Sequence, residues 1–393
     1  MSYVVEEPAQ TDEAGQTART VDIAVIGAGL AGTAAAINLS RGGWRVALVD
    51  FASVHRDEFK AEKLGLYHLS LFEKLGLADI IKPILTPMND NHIYRMGQLY
   101  SREQKREYGF TYAGMINALR EAVPENVLSI VGKITGIEET PSGRHLILGD
   151  GSTIDARLVI VATGSSEAVR RMLGMRRLVT SKMHGLAFGF DLAGTIRDYP
   201  FDTLNYYAKR PADRYAYISF FPIGEKMRAN FFVYRDAKDP WVARFRAEPR
   251  PILRELMPEI ASVCGDFQVA SPVALKVVDL TVSQDFEKDG VVLVGDAFCS
   301  TCPVPGIGIN RVMTDVERLC NVYVPAWMAT PGMGREKIAA FYRDKAKSKS
   351  DTNGIRLSHY SREINVNTSP LWRLRRLRNN VARRIWHYLP KFR

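Results

Sequence analysis

The sequence predicts an α/β fold: a Rossmann-like dinucleotide-binding domain carrying an inserted, mostly antiparallel β-sheet domain. Three observations predict it. The motif "GAGLAG" follows a short apolar run and opens a helix of small residues. From about residue 184 the texture changes to alternating aromatic segments such as "YAYISFFPIG" and "MRANFFVYR". A buried-strand run, "VVLV" at 291–294, then returns the chain to the first domain.

Taken in order, residues 1–20 carry acids, one Arg and no apolar run, so they read as a disordered lead-in and not as a targeting peptide. Residues 22–26, "DIAVI", form a strand, and Gly27, Gly29 and Gly32 satisfy G-x-G-x-x-G directly behind it, with Leu30 and Ala31 between them. The first glycine permits the turn, the second lets a pyrophosphate approach the backbone, and the third lets helix and strand pack. "WRVALVD" is the next strand, and its terminal Asp50 stands where an acid bonds a ribose hydroxyl, which points to FAD or NAD and away from a 2′-phosphate. Residues 64–80 read as a helix, 91–112 as short strands, and 113–123 as a helix again. A hairpin turns at Gly149–Gly151 and leads to a buried strand, Leu158–Ala162. Within the inserted domain one helix, near 241–263, interrupts the strands. A second dinucleotide motif is absent: "GIGINR" lacks the third glycine and "GMGREK" does not follow a strand.

Composition narrows the function classes. The chain has 393 residues, 46% hydrophobic, which is ample for a large core. Its net charge is +10, but eight Lys or Arg and no acid fall in residues 364–393. The body is therefore near neutrality, and no nucleic-acid-binding surface is expected. Four cysteines in so long a chain make no disulfide scaffold and suit a reducing, cytoplasmic setting. No metal-ligand spacing is present.

Three blocks, in this order, resemble the single-component FAD monooxygenases with the p-hydroxybenzoate hydroxylase fold. They are "GAGLAG" with Asp50, "ARLVIVATGSSEAVRRMLG" (156–174) with Gly164 and Arg170, and "GVVLVGDAFCSTCPVPGIGINRVMTDVERL" (290–319). The resemblance implies that Asp296, after Gly295, holds the ribityl chain of FAD. It also implies that the turn after Pro303, with Gly306, Gly308 and Asn310, sets backbone N–H groups near the flavin N1–C2=O edge. Lys60 stands sixteen residues before Gly76, where the family often has an Arg near the flavin; the other reading is a solvated cluster with Glu62 and Lys63. Two departures stand out: Thr163 replaces the family's Asp, and Phe298–Cys299 replaces a His often found there.

The implied division has a Rossmann-like FAD-binding domain at 21–90, 105–180 and 290–335. An inserted β-sheet substrate domain takes 91–104 and 181–289, and a C-terminal helical region takes 336–393. The implied activity inserts one oxygen atom into a small organic or lipophilic substrate: NAD(P)H, a transient reductant, reduces FAD, and O2 adds at flavin C4a. Two alternatives keep the fold. One is an FAD reductase or dehydrogenase acting on a prenyl-like lipid, which Thr163 favours; the other is a halogenase-like oxidase, although no Trp-x-Trp-x-Ile-Pro stretch is present. A third alternative, from another class, is a flavin-binding adaptor without turnover. No catalytic side chain is assignable from the residues alone. Cys299 and Cys302 read as packing residues or as a redox dithiol.

The tail places Leu371, Leu374, Leu377, Val381, Ile385 and Leu389 on one helical face among arginines. Residues 371–389 therefore either bind an anionic membrane surface or dock that apolar face on the body.

Overall fold

The computed structural model describes residues 10–11 and 17–388. Among them, two sheets carry the architecture. The first has eight strands, and its parallel centre runs Leu128–Val131, Val46–Asp50, Thr17–Ile26, Thr153–Val161. Within Thr17–Ile26, residues 23–26 are buried on both faces: Ile23 and Val25 pack in one apolar cluster, Ala24 and Ile26 in another. Helix Leu30–Arg41 covers one of these faces. Strand Thr153–Val161 changes partner along its length. Thr153–Ala156 pairs antiparallel with Arg144–Ile147, whereas Val159–Val161 pairs parallel with Val291–Leu293. That second pairing closes the insertion and brings the Gly295–Asp296 turn beside the first glycine turn.

The second sheet has nine strands, ordered Cys299–Ser300, Ala274–Gln284, Arg176–Asp191, Lys226–Val233, Tyr215–Ile223, Thr203–Tyr207, Thr86–Arg95, Gln98–Gly109, Lys63–Gly65. Every neighbouring pair is antiparallel except Thr203–Tyr207 with Thr86–Arg95. Alternation divides the aromatics as a two-faced sheet must. Tyr215, Phe220 and Phe231 sit in an apolar cluster with Phe245. Tyr217, Phe221 and Phe232 line a cavity. A register shift between Tyr215 and Tyr217 puts these two on different faces despite their even spacing.

Several expectations change. Of the anticipated disordered lead-in, residues 1–9 and 12–16 lie outside the described residues. Residues 17–20 instead belong to the first strand, and Gln10–Thr11 pairs antiparallel with it. The 64–80 segment is a short strand, Lys63–Gly65, and then helices Leu66–Lys74 and Ala78–Ile81, parted at Gly76 with φ +62°. The short strands expected around 91–112 are two long ones, joined by Met96 and Gly97, both with positive φ, as a tight hairpin requires. The single helix near 241–263 is three: Pro240–Ala247, Pro249–Leu256 and Ile260–Cys264. Glu248 and Met257 each precede a proline and leave the helical region, with φ −136° and ψ 70°. The second sheet takes in 86–109 and begins its central strand at Arg176, so the expected limits at 91, 104 and 181 fall inside strands.

Candidate active site

The first glycine turn combines two packing glycines with one open position. A Cβ on Gly27, whose φ is +100°, would lie 2.7 Å from the Ala162 carbonyl oxygen, and one on Gly32 would lie 1.8 Å from that of Gly27. A Cβ on Gly29 would meet nothing within 4 Å. Leu30 and Ala31 are buried at the helix start. Asp50 accepts the Ala28 N–H at 2.7 Å and the Ala52 N–H at 3.1 Å. Arg120 stands 3.3 Å from that carboxylate and donates to the Ala28 and Ala52 carbonyls. Sequence reasoning missed Arg120, which sits on helix Tyr112–Glu121 with no motif around it.

The second turn is set by Gly295, φ +60°, whose N–H donates to buried Asp315 at 2.8 Å. Asp296 faces the Lys60 ammonium at 3.4 Å, and Arg311 stands 3.9 Å away. Burial acts to raise the Asp296 carboxyl, but Lys60 and Arg311 outweigh it and hold the group below the usual carboxylate range. Lys60 is correspondingly raised: burial opposes its charge, and Tyr112, Asp296 and Glu58 overcome that. The solvated-cluster reading of Lys60, Glu62 and Lys63 does not hold, because the three side chains go to three places: Asp296, Arg228 and Glu107.

Pro303, Gly306 and Gly308 line the same cavity as Leu30, Lys60 and Asp296. Cβ atoms on Gly306 and Gly308 would meet nothing, and helix Gly308–Arg318 starts there. His68 fixes this turn: its Nε2 donates to the Gly306 carbonyl at 3.1 Å while Nδ1 accepts the Gly65 N–H at 3.0 Å. The Asn310 Oδ1 is buried without a protein partner. FAD fits these residues. Three glycines leave open surface where a cofactor backbone would lie, a half-buried carboxylate is held by a lysine, and an orphaned buried acceptor stands at the helix start.

Arg170 does not belong to this lining. It is wholly buried and donates to the carbonyls of Gly164, Ser165 and Ala297, so it ties the second block to the third. Beneath the flavin-side turn lies a buried charge network. Lys347 reaches Asp315 and Asp351, each at 3.0 Å, and Arg311 reaches Asp351 and the Cys299 carbonyl. Cys299 and Cys302 are free, buried thiols, pushed up by burial to about 11 and about 12, opposite to what a reactive dithiol requires. His184 is a satisfied polar residue, bonded to Ser181 and to the Ser358 carbonyl and pushed down by burial to about 4.

A single cavity of about 1010 Å³ runs from these turns along one face of the second sheet. Tyr217 spans the two regions by donating to the Val304 carbonyl at 3.1 Å. The far end is roofed by the tail helix, Pro370–Tyr388, through Arg376, Asn379, Asn380 and Arg383. Arg376 donates to the Ile364 and Asn367 carbonyls, Asn379 donates to the Tyr360 hydroxyl, and the Tyr100 hydroxyl donates to the Arg383 carbonyl. The docked face is thus polar. Leu371, Leu374, Leu377, Val381 and Ile385 point outward, Leu374 being 62% exposed. Leu389 lies outside the described residues.

Comparison with known proteins gives a consistent picture. The profile of the family described as "FAD binding domain" matches residues 20–324. The 3-demethoxyubiquinol 3-hydroxylase of Escherichia coli (strain K12) is 23% identical over 354 residues, 81% of this chain and 85% of that protein. The menaquinone reductase of Mycolicibacterium smegmatis is 24% identical over 322 residues, 74% of this chain and 73% of that protein. Among solved structures, the p-nitrophenol 4-monooxygenase of Pseudomonas putida DLL-E4 superposes with a TM-score of 0.72 at 16% identity, covering 91% of this chain and 92% of that one.

Proposed function

We infer, because this chain belongs to the FAD binding domain family, that it is an FAD-dependent monooxygenase acting on a small organic substrate. The observation that carries this reading is the continuity of the cavity, which joins the Asp296–Gly308 turns to the aromatic wall of the second sheet. FAD held by these residues would supply the redox chemistry between a nicotinamide and O2. The chain's own residues bind, orient and exclude water. Gly29 leaves room for a pyrophosphate, and Asp50 offers its carboxylate to a ribose. Lys60 keeps Asp296 ionised as an acceptor, and the start of helix Gly308–Arg318 favours negative charge at that end of the cofactor. Tyr217 and Phe232 wall the substrate end, where a dry surround protects a reactive oxygen species.

The test is a turnover assay on purified yellow protein with NADH or NADPH under labelled dioxygen, using ubiquinol-like and nitrophenol-like substrates and, as acceptor, a prenylated quinone. Product carrying one labelled oxygen atom is the expected outcome. Nicotinamide oxidation that reduces the acceptor without incorporating label rejects oxygenation. It would promote the second reading, a reductase of a prenyl-like quinone, which Thr163 in the second block and the likeness to a menaquinone reductase favour.

We also propose that the tail helix attaches the protein to an anionic membrane surface. No helix among the described residues is long and apolar enough to cross a membrane, so the attachment is peripheral. The support is the outward apolar stripe, with exposed Arg373 and Arg378 beside it. Full-length protein should co-sediment with phosphatidylserine vesicles, less so as salt rises. A chain ending at Ser369 should stay in the supernatant; its co-sedimentation would reject the assignment.

A further inference from the structure

One end of the cavity is lined by polar side chains that the reading above leaves unused. Strand pairing sets Asn205 opposite Ser219, and Ser219 opposite Asn230, so three polar residues form a row across three strands of an otherwise aromatic face. The next position in that row is Gly189, where the Phe59 ring fills the space a side chain would take. Phe59 belongs to the segment that delivers Glu62 over the row. Glu62 is anchored there by its own carbonyl, which accepts the Phe110 N–H at 3.0 Å.

Glu62, Ser219 and Asn230 are 5%, 4% and 6% exposed, and all three line the cavity. Each has a buried atom without a protein partner: Glu62 Oε2, Ser219 Oγ and Asn230 Oδ1. Orphaned buried polar atoms are costly, and three on one cavity wall point to a ligand that satisfies them. Two of the three can only accept while Glu62 is ionised, and the hydroxyl can do either. The cations around them are already matched. Arg228 stands behind Glu62 at 3.5 Å and also holds Asp191 at 3.2 Å, while Lys63 and Lys105 both reach Glu107. Other cations along the cavity, Arg95 over the Tyr207 ring and Arg376 and Arg383 on the tail helix, spend their donors on a π face, on backbone carbonyls and on the Asn380 amide oxygen, and none is paired with the three wall groups.

We propose that this wall takes the substrate by a neutral hydrogen-bond donor, a hydroxyl or an aromatic amino group, held by Glu62, Asn230 and Ser219, and that it rejects a ligand presenting a carboxylate there. The proposal rests on reading the cavity as the substrate site. Its discriminating power comes from leaving a buried carboxylate beside an anion, or leaving acceptors unpaired, which disfavours the wrong ligand more strongly than the right contact favours the correct one. Glu62 is pushed up to about 7, chiefly by burial, with Asp191 adding to the rise and Arg228 and Asn230 opposing it. Donor binding to the ionised carboxylate therefore strengthens as pH rises through that value. The charged groups near it on the surrounding strands are Arg228, Asp191 and Lys226 on one side and Lys63, Glu107, Lys105 and Glu103 on the other.

The probes are 2-naphthol and 2-naphthoate, fluorescent ligands with the same rings and different polar ends. Binding is read from probe anisotropy on FAD-loaded protein, with flavin content measured separately in every sample. At pH 8 naphthol should bind about tenfold or more tighter than naphthoate. Glu62→Gln should lose roughly tenfold in naphthol affinity and abolish its rise between pH 6 and 8, and Ser219→Ala should lose less. Equal affinity for the two probes, an unchanged Glu62→Gln, or no binding of either probe overturns the proposal. A colourless protein that still prefers naphthol would count against the cofactor reading and for this wall, so the two failures are separable.

Discussion

The two ends of the cavity are made from different materials. At the proposed cofactor end the working surface is backbone: Gly306 and Gly308 expose it on the cavity and Gly29 on the neighbouring glycine turn, where Gly27 and Gly32 let two elements touch. At the substrate end the surface is side chains aligned by register, with Asn205, Ser219 and Asn230 drawn from three strands. Backbone surfaces tolerate nothing at the contact and are indifferent to the ligand's chemistry beyond its charge. A side-chain wall tolerates substitution and chooses its ligand. Substitutions at the first end should therefore act on folding or cofactor retention, and those at the second on selectivity.

The largest effect should come from Gly32→Ala, whose Cβ would fall 1.8 Å from a backbone oxygen. The clash is with backbone, which cannot turn aside, so the cost should go well beyond the roughly 1–3 kcal/mol typical of overpacking and be read as loss of soluble yellow protein. Gly29→Val sharpens the contrast. It meets open space, so the melting temperature of the apoprotein should hold while flavin retention falls. Next in size is Lys347→Met, which strands Asp315 beneath the Gly295–Asp296 turn and leaves Asp351 to Arg311 alone. Breaking a buried pair in this way costs about 3–5 kcal/mol, measurable by urea unfolding.

Glu62→Gln should go the other way. Its folded value of about 7 lies above that of an unfolded glutamate, so the fold favours the protonated form. Its contribution is fully present below the unfolded value and is lost as pH rises toward and through 7. The variant should thus be more stable than the parent at pH 8, on the order of 2 kcal/mol, and nearly equal to it at pH 4. A destabilised Glu62→Gln at pH 8 would mean that the wall is a structural ion pair and would erase the contrast between the two ends. The smallest effect should follow removal of residues 370–393. The tail docks by a few polar bonds and the Trp372–Tyr360 contact, so the melting temperature should move by only a few degrees, as about 1 kcal/mol implies. A large fall would show that the tail is core.

What the sequence revealed follows the same division. The glycine turns, Asp50 and Asp296 are signalled by short, contiguous patterns because a phosphate-binding backbone must be built locally. Arg120, Arg228 and Glu62 carry no such signal. Each is positioned by an element distant in the chain, and Glu62 looked like one member of a charge cluster until its neighbours turned to other partners. The polar row could not be read without strand registers, and the bulge at Tyr215–Tyr217 would have misassigned faces counted by parity alone. Arg170 was the converse: it lies within a matching block but spends its donors on carbonyls. The breaks at Glu248 and Met257 were legible in principle, since both precede prolines.

One feature links the outside of the molecule to its interior. The helix that roofs the cavity with Arg376, Asn379 and Arg383 presents Leu371, Leu374 and Leu377 on its other side. Whatever captures that outer stripe and whatever fills the cavity act on the same docking equilibrium. If capture lifts the helix and weakens ligand binding by some factor, a bound ligand must weaken capture by that same factor, because the two routes around the cycle share their end states. In that case occupancy of the cavity would be reported at the surface, and a change in surface affinity on adding ligand would measure how firmly the roof is shut.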